Sequence, residues 1–532
     1  MKKYVVGCWA IASAFALASC QEDVKSEAPA AVRITSPQAG EKVWLTTPIT
    51  VETAAAQAGD KVMFYLDDEL VGEDTEAPYE VMLDTKQYED GAYTLRTVVQ
   101  NGSGEPTEAV RTINIFNKLF SLKVDNNYLE EAGWSPKEAW IIVCDTEGDI
   151  IQTEELRNGE TATIDRHDRT DENLIVTLVK VHAGSRGNQY VIVESYQGIT
   201  PNAWFLEGYT PADKAVVGTA QVDYTVPEDI KTLTSAFNAS VSLSKSEEGY
   251  RTSLDILKEP AGLFIANHAQ DGNAADYAWL DDIRVDQQRR LSVEDFHPMK
   301  LMQQVSFQRA SNLYFSMSGI GEQTGGYHNF FKYDTRDEVP STLSVHYPEG
   351  LFTSYRHYVA VSQDEVTYYH VGNDALKSSY AVPELSAEVT SLGQEQKVRI
   401  QGNHAADFAQ GRWEYYSLVD DVTNVVAWYV SSPLNEGEYR ALLHDFPTVI
   451  TDRHELVRNS QQDMQYKATD LPNYDSTASL PDYLRKRYLV DEKFELGAYE
   501  EVSIRATGSQ GGRTGADLPK RVAEEIERLR TQ

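Results

Sequence analysis

Cysteine is scarce in this chain, with three in 532 residues. Cys8 lies inside an apolar N-terminal run and Cys20 sits at its end, which leaves Cys144 as the one thiol in the body of the chain. That excludes a disulfide framework within the body, and it excludes paired-cysteine zinc motifs. Cys144 ends the run Ala139-Trp140-Ile141-Ile142-Val143-Cys144, which reads as a buried strand, so a structural thiol is expected there rather than a nucleophile. Basic residues are also short: Lys and Arg number 48 against 82 Asp and Glu, a formal charge of −34. A surface that acidic repels phosphate backbones and anionic headgroups, which excludes nucleic acid as a partner. Beyond the N-terminal run, no stretch is long and apolar enough to span a bilayer. Helical patterning is sparse as well.

The usual signatures of chemistry are missing. His454-Glu455 begins a His-Glu-x-x-His zinc motif, but position 458 is Arg. Asp145-Thr146-Glu147-Gly148-Asp149 and Asp271-Gly272-Asn273 do not match a twelve-residue calcium loop and read as turns. There is no Gly-x-Ser-x-Gly elbow. The run from Gly319 to Gly326 lacks the Gly-Lys-Ser/Thr of a phosphate loop. The acidic pairs Asp281-Asp282 and Asp420-Asp421 sit in apolar contexts where adjacent strand residues point to opposite faces, so neither reads as an acid/base couple. No catalytic residue, metal ligand or cofactor is expected.

The N-terminus is informative. Met1-Lys2-Lys3 precedes an apolar core of about 15 residues with small residues at its exit, the pattern of a secretory signal. Leu17-Ala18-Ser19-Cys20 resembles the lipobox of bacterial lipoproteins, in which cleavage precedes a cysteine that carries lipid. The resemblance implies lipid on Cys20 and a signal peptide over residues 1–19, whose loss takes away Lys2 and Lys3 and leaves a charge of −36. The alternative is an ordinary signal in which Cys20 is incidental. Residues 20–30 are a polar, proline-bearing tether. The acidic stretch after Cys20 resembles the export signal of surface lipoproteins in glycan-foraging Gram-negative bacteria, which implies an outer-membrane protein facing the exterior.

Residues 31–117 alternate short strands with turns. Val62 to Leu66 runs into Asp67-Asp68, Tyr79 to Leu83 alternates, and Asp90-Gly91 precedes Tyr93 to Val99. That grammar predicts an antiparallel sandwich in which Asp67-Asp68 is a hairpin turn. Phe64-Tyr65-Leu66-Asp67-Asp68, Ala77-Pro78-Tyr79 and Asp90-Gly91-Ala92-Tyr93-Thr94-Leu95 resemble the bacterial immunoglobulin-like modules of surface and glycan-acting proteins. Such modules serve as spacers.

Residues 118–505 are strand-rich too, with weak breaks near Pro227 and Pro383, and predict β domains at 118–225, 226–383 and 384–505. The fold class expected is all-β and multidomain, with sandwich-type domains and a short C-terminal helix. Residues 506–532 form a glycine-rich linker and an amphipathic helix, striped by Leu518, Val522, Ile526 and Leu529, that either folds back or docks onto a partner. Aromatic residues stand out: 30 Tyr, 16 Phe and 8 Trp. Tyrosine suits stacking on sugar rings or filling an interface. Two loop-adjacent clusters are therefore candidate ligand surfaces: Tyr327, Phe330 and Phe331, and Trp413, Tyr415 and Tyr416. By address and architecture the chain resembles accessory surface lipoproteins of glycan-uptake systems. That implies non-catalytic binding or scaffolding with glycan the leading ligand. The alternatives are a structural part of an outer-membrane complex, joined through the C-terminal helix, and a hydrolase.

Overall fold

The structure is a computed structural model that describes residues 32–53, 61–100, 106–130, 135–165, 173–183, 187–200, 202–208, 215–226, 230–246, 249–269, 275–321, 327–336, 338–373, 375–419, 422–461, 463–488 and 497–506. Cys20 and its signal, the tether, Asp271 to Asn273, Asp420-Asp421 and the C-terminal helix lie outside the described residues. The chain divides into two compact units, one ending at Asn117 and the other beginning at Lys118.

The first unit is a sandwich. One sheet orders Val32–Ser36, Thr46–Thr53 and Tyr79–Asp84; the other orders Lys42–Val43, Thr107–Ile115, Gly91–Gln100, Lys61–Leu66 and Glu69–Asp74. Period-two alternation places Val62, Phe64 and Leu66 on one side of their strand, where they join Ile49, Leu83, Leu95 and Ile113 in the core. Asp67 turns the hairpin with a φ of 51°, and its Oδ1 accepts from the Thr94 amide at 2.8 Å. An aspartate tolerates that left-handed conformation because its short polar side chain can take up a backbone hydrogen bond there.

The second unit is organised by one twelve-stranded sheet. From one edge it runs Ile150–Glu155, Glu138–Cys144, Leu174–Ala183, Gln189–Ile199, Val422–Ser432, Ala409–Val419, Gln465–Tyr474, Tyr499–Arg505, Val366–Asn373, Ser354–Gln363, Asn312–Ile320 and Tyr327–Thr335. Neighbours are antiparallel except at one seam, where Gln189–Ile199 runs parallel to Val422–Ser432. Smaller sheets pack on it. Lys118–Val124, Thr161–Asp165 and Asn202–Leu206 close a core around Phe120, Ile141, Leu178 and Trp204. The sheet of Thr342–Tyr347, Leu301–Gln308 and Ser379–Ala381 and that of Ser386–Leu392, Glu395–Gln401 and Glu438–Leu442 share a second core with Phe315, Val359, Trp413 and Val502. Between residues 218 and 298 two four-stranded sheets form a separate sandwich around Val222, Leu254 and Leu263.

The fold is therefore all-β, with short helices Thr448–Thr451, Glu455–Ser460 and Leu480–Tyr488 among the described residues. The segments 118–225, 226–383 and 384–505 do not close on themselves. Val193 pairs with Trp428 and Tyr369 with Glu501, so all three contribute strands to one sheet. Such pairing between distant segments leaves no trace in local periodicity. Cys144 is fully buried at the end of its strand, as expected of a structural thiol.

Candidate functional site: a tyrosine-lined sheet face

Because strand residues alternate between faces, a sheet with one covered side must present its other residue set elsewhere. In the central strands of the twelve-stranded sheet, Leu313, Val359, Val361, Tyr368, Val502, Leu471, Trp413 and Trp428 enter the large core. The opposite phase carries Tyr314, Tyr358, Tyr369, Glu501, Asp470, Arg412, Glu414, Tyr416 and Tyr429. Tyr314 to Tyr429 crosses seven adjacent strands, roughly 29 Å at about 4.8 Å between strands.

The tyrosines touch in sequence. Tyr314 and Tyr358 lie 5.6 Å apart with their planes at 71°, and Tyr358 lies 6.4 Å from Tyr369. Tyr369 stands directly opposite Glu501 on the next strand. At one end the Lys332 ammonium sits 5.4 Å from the centre of the Tyr314 ring, within cation–π range. At the other, Arg412 Nε is 3.5 Å from Glu414 Oε1, the Tyr416 hydroxyl donates to Glu414, and the Lys467 ammonium is 5.7 Å from the Tyr416 ring. Tyr416 is 44% exposed; Tyr314, Tyr358, Tyr429, Asp470 and Glu501 are half-buried, and Tyr369, Arg412 and Glu414 are buried.

Carboxyl groups at the centre are electrostatically loaded. Burial pushes Glu501 well above the ordinary carboxylate range, and repulsion from Asp470 adds to it. Burial also raises Asp470, against the pull of Arg412 and a hydrogen bond from Ser503. Burial lifts the Tyr358 and Tyr369 hydroxyls, which stay protonated donors. The face thus combines flat rings with hydroxyl donors, carboxyl acceptors and one buried guanidinium.

Of the residues singled out from sequence, this face holds Tyr416. Three must be corrected. Phe330 and Phe331 are 0% and 6% exposed and pack against Phe352 and Phe315; Trp413 is 1% exposed against Tyr466. Core aromatics cannot stack on a ligand. Tyr415 packs half-buried on the same core, and Tyr327 is 42% exposed at the start of the sheet's edge strand. Tyr314, Tyr358, Tyr369, Tyr429, Asp470 and Glu501 were missed. The available signal was tyrosine in the phase where an exposed strand should be polar, as in Leu313-Tyr314-Phe315. Asp281 and Asp282 are both exposed, and Asp282 is bound by Arg289 at 2.7 Å.

No curated protein matches this chain. Among solved structures, the fibronectin(III)-like modules of Clostridium thermocellum CbhA share 31% identity over 16% of this chain and 93% of theirs, with a TM-score of 0.15. The Bacteroides ovatus mixed-linkage glucan utilization protein SGBP-B, solved with a mixed-linkage heptasaccharide, shares 10% identity over 60% of this chain and 93% of its own, with a TM-score of 0.15. The Bacillus anthracis TIE protein shares 13% over 67% of this chain and 74% of its own, at 0.14. TM-scores of this size carry no conclusion about the whole chain. Residues 31–96 match the bacterial Ig domain family, so the N-terminal sandwich is a bacterial Ig-like domain.

Proposed function

We propose that this protein is a lipid-anchored surface protein of the outer membrane, held through Cys20, and that it binds glycan without chemical turnover. The tyrosine-lined face carries the reading. Its aromatic rings offer stacking surfaces, and its carboxyl, hydroxyl and guanidinium groups offer the hydrogen bonds that sugar hydroxyls need. The Ig-like domain acts as a spacer between the lipid and the distal sheet. Glycan arrays and affinity electrophoresis with polysaccharides test this directly. Retention of the wild-type chain that falls about tenfold or more in Tyr358→Ala and Tyr416→Ala, the size of effect that removing a stacking ring can have, supports it. Absence of retention on every glycan sinks it. The anchor has its own test: metabolic labelling with a palmitate analogue marks the wild-type protein and spares Cys20→Ala.

A second reading, a glycan hydrolase, draws on Asp470 and Glu501, two carboxyls on adjacent strands, of which Glu501 is pushed up by burial as a general acid requires. Release of reducing ends that Glu501→Gln abolishes would favour it over simple binding.

A further inference from the structure

A cleft of about 270 Å³ opens where the strand Ser379–Ala381 approaches the loop that carries His404. Its wall includes Tyr368, Lys377, Ser379, Tyr380, His404 and Glu500. Tyr368 and Glu500 occupy the opposite phase of the same strands that present Tyr369 and Glu501 to the tyrosine-lined face, so the two sites lie on opposite sides of one sheet.

The wall is already partly ordered. The Lys377 ammonium pairs with the Glu500 carboxylate and lies 3.1 Å from the Tyr368 hydroxyl. His370, directly across from Glu500 on the neighbouring strand and 8% exposed, turns Nδ1 to 3.6 Å from Glu500 Oε1, too far for a hydrogen bond. Neither that nitrogen nor Nε2 of His404 has a hydrogen-bond partner among the described residues. Behind His370, at 5.1 Å between ring centres, lies His357, 1% exposed and with both ring nitrogens equally unpartnered. Gly372 makes room for the two imidazoles, since a Cβ there would come within 2.4 Å of the His357 ring.

Buried polar atoms in native proteins are nearly always satisfied, by protein, water or ligand. Polar nitrogens beside a cleft therefore call for a polar occupant. Lys377 and Glu500 cancel each other's charge. Burial pushes His357 and His404 below the ordinary histidine value, so these two imidazoles are neutral at pH 7. What the cleft offers is an uncharged set of donors and acceptors between two tyrosine rings. At about 270 Å³ the cleft has room for one ring.

We propose that this cleft binds a single uncharged, hydroxyl-rich ring, one sugar residue, with His404, Lys377 and Ser379 bonding its hydroxyls and Tyr368 forming an apolar wall. The proposal does not depend on glycan binding at the tyrosine-lined face. It is tested by titrating the full chain, with isotope-labelled histidine imidazoles, against D-glucose, D-galactose, D-mannose, D-xylose and acetate, and following the signals of His370 and His404 by NMR. At least one sugar should shift them saturably, and acetate should not. His404→Ala should weaken that sugar about tenfold, as loss of one buried hydrogen bond does, and Ser379→Ala serves as the second variant should the first melt early. Val293→Ala, at an exposed position outside both sites, should leave the affinity unchanged. No saturable shift with any sugar, a response to acetate alone, or undiminished binding in both wall variants overturns it.

Discussion

Glu501 couples the candidate site to pH. Its folded-state pKa is raised above the unfolded value, so the folded chain holds a proton that the unfolded chain has released. Stability therefore falls as pH rises from the ordinary carboxyl range toward the raised value, and Glu501→Gln removes that penalty. The variant should gain more melting temperature over wild type at pH 8 than at pH 5; a gain that is constant or shrinks with pH refutes the assignment. Glu194 behaves in the opposite sense. Burial pushes its carboxyl up, but Lys180 at 2.7 Å and Arg487 at 3.8 Å outweigh this and hold it down at about 2. Its contribution is full above the unfolded pKa and is lost as pH falls from there toward 2. Lys180 and Glu194 are each 17% exposed, so Lys180→Met leaves Glu194 with the more distant Arg487 alone and should cost up to about 3–5 kcal/mol in chemical denaturation, with much of the loss recovered in Lys180→Met/Glu194→Leu. Neither pair was legible in the sequence. Lys180 and Glu194 sit diagonally on neighbouring strands, where Ile192 and Leu178 are their direct partners, and Asp470 and Glu501 come from strands separated by a helix. Asp67-Asp68 was legible, because a hairpin turn is encoded by adjacent residues.

Elements explain the misread aromatics. Phe330 and Phe331 are consecutive, and on a regular strand one of them would face out. The register slips between Met317 and Ser318, whose partners are Phe331 and Asn329, so Phe330 is the extra residue of a bulge and both rings turn inward. A glycine-rich flank resembles an exposed loop in sequence, and a bulge has no signature there. Gly319 belongs to the same device: a Cβ at that position would lie 2.0 Å from the Phe352 ring, which packs on Phe330. Gly319→Ala should displace Phe352 and cost about 1–3 kcal/mol, with faster hydrogen exchange in Tyr327–Thr335 as the local readout. The helix Leu480–Tyr488 was missed for a related reason. It is short, and its buried stripe of Leu480, Tyr483, Leu484 and Tyr488 is half tyrosine. Its Tyr488 hydroxyl meets that of Tyr196 at 2.8 Å, a contact between residues far apart in the chain.

At the scale of the molecule, the Ig-like grammar of the N-terminal sandwich was readable; the strand order beyond it was not. Residues 31–117 expressed alone should melt cooperatively as a monomer. Residues 118–383 expressed alone should not, since they leave Val366–Asn373 without its partner Tyr499–Arg505 and Gln189–Ile199 without Val422–Ser432. Exposed strand edges of that length invite association, to be read by light scattering. A monomeric, cooperatively melting 118–383 fragment would show the continuous sheet to be dispensable.

The parallel seam also fixes an order of events. Gln189–Ile199 is synthesised more than 200 residues before the strand it lies beside, and closing so long a loop delays the contact that would reward it. Blocks of the sheet can grow by local hairpins, but the parallel junction must wait for Val422–Ser432, and Val366–Asn373 must wait longer still for Tyr499–Arg505. Folding of this protein should therefore show a fast phase of hairpin growth and a slow, chain-length-dependent final joining. Until that joining, an unpaired edge stands exposed to other copies of the chain.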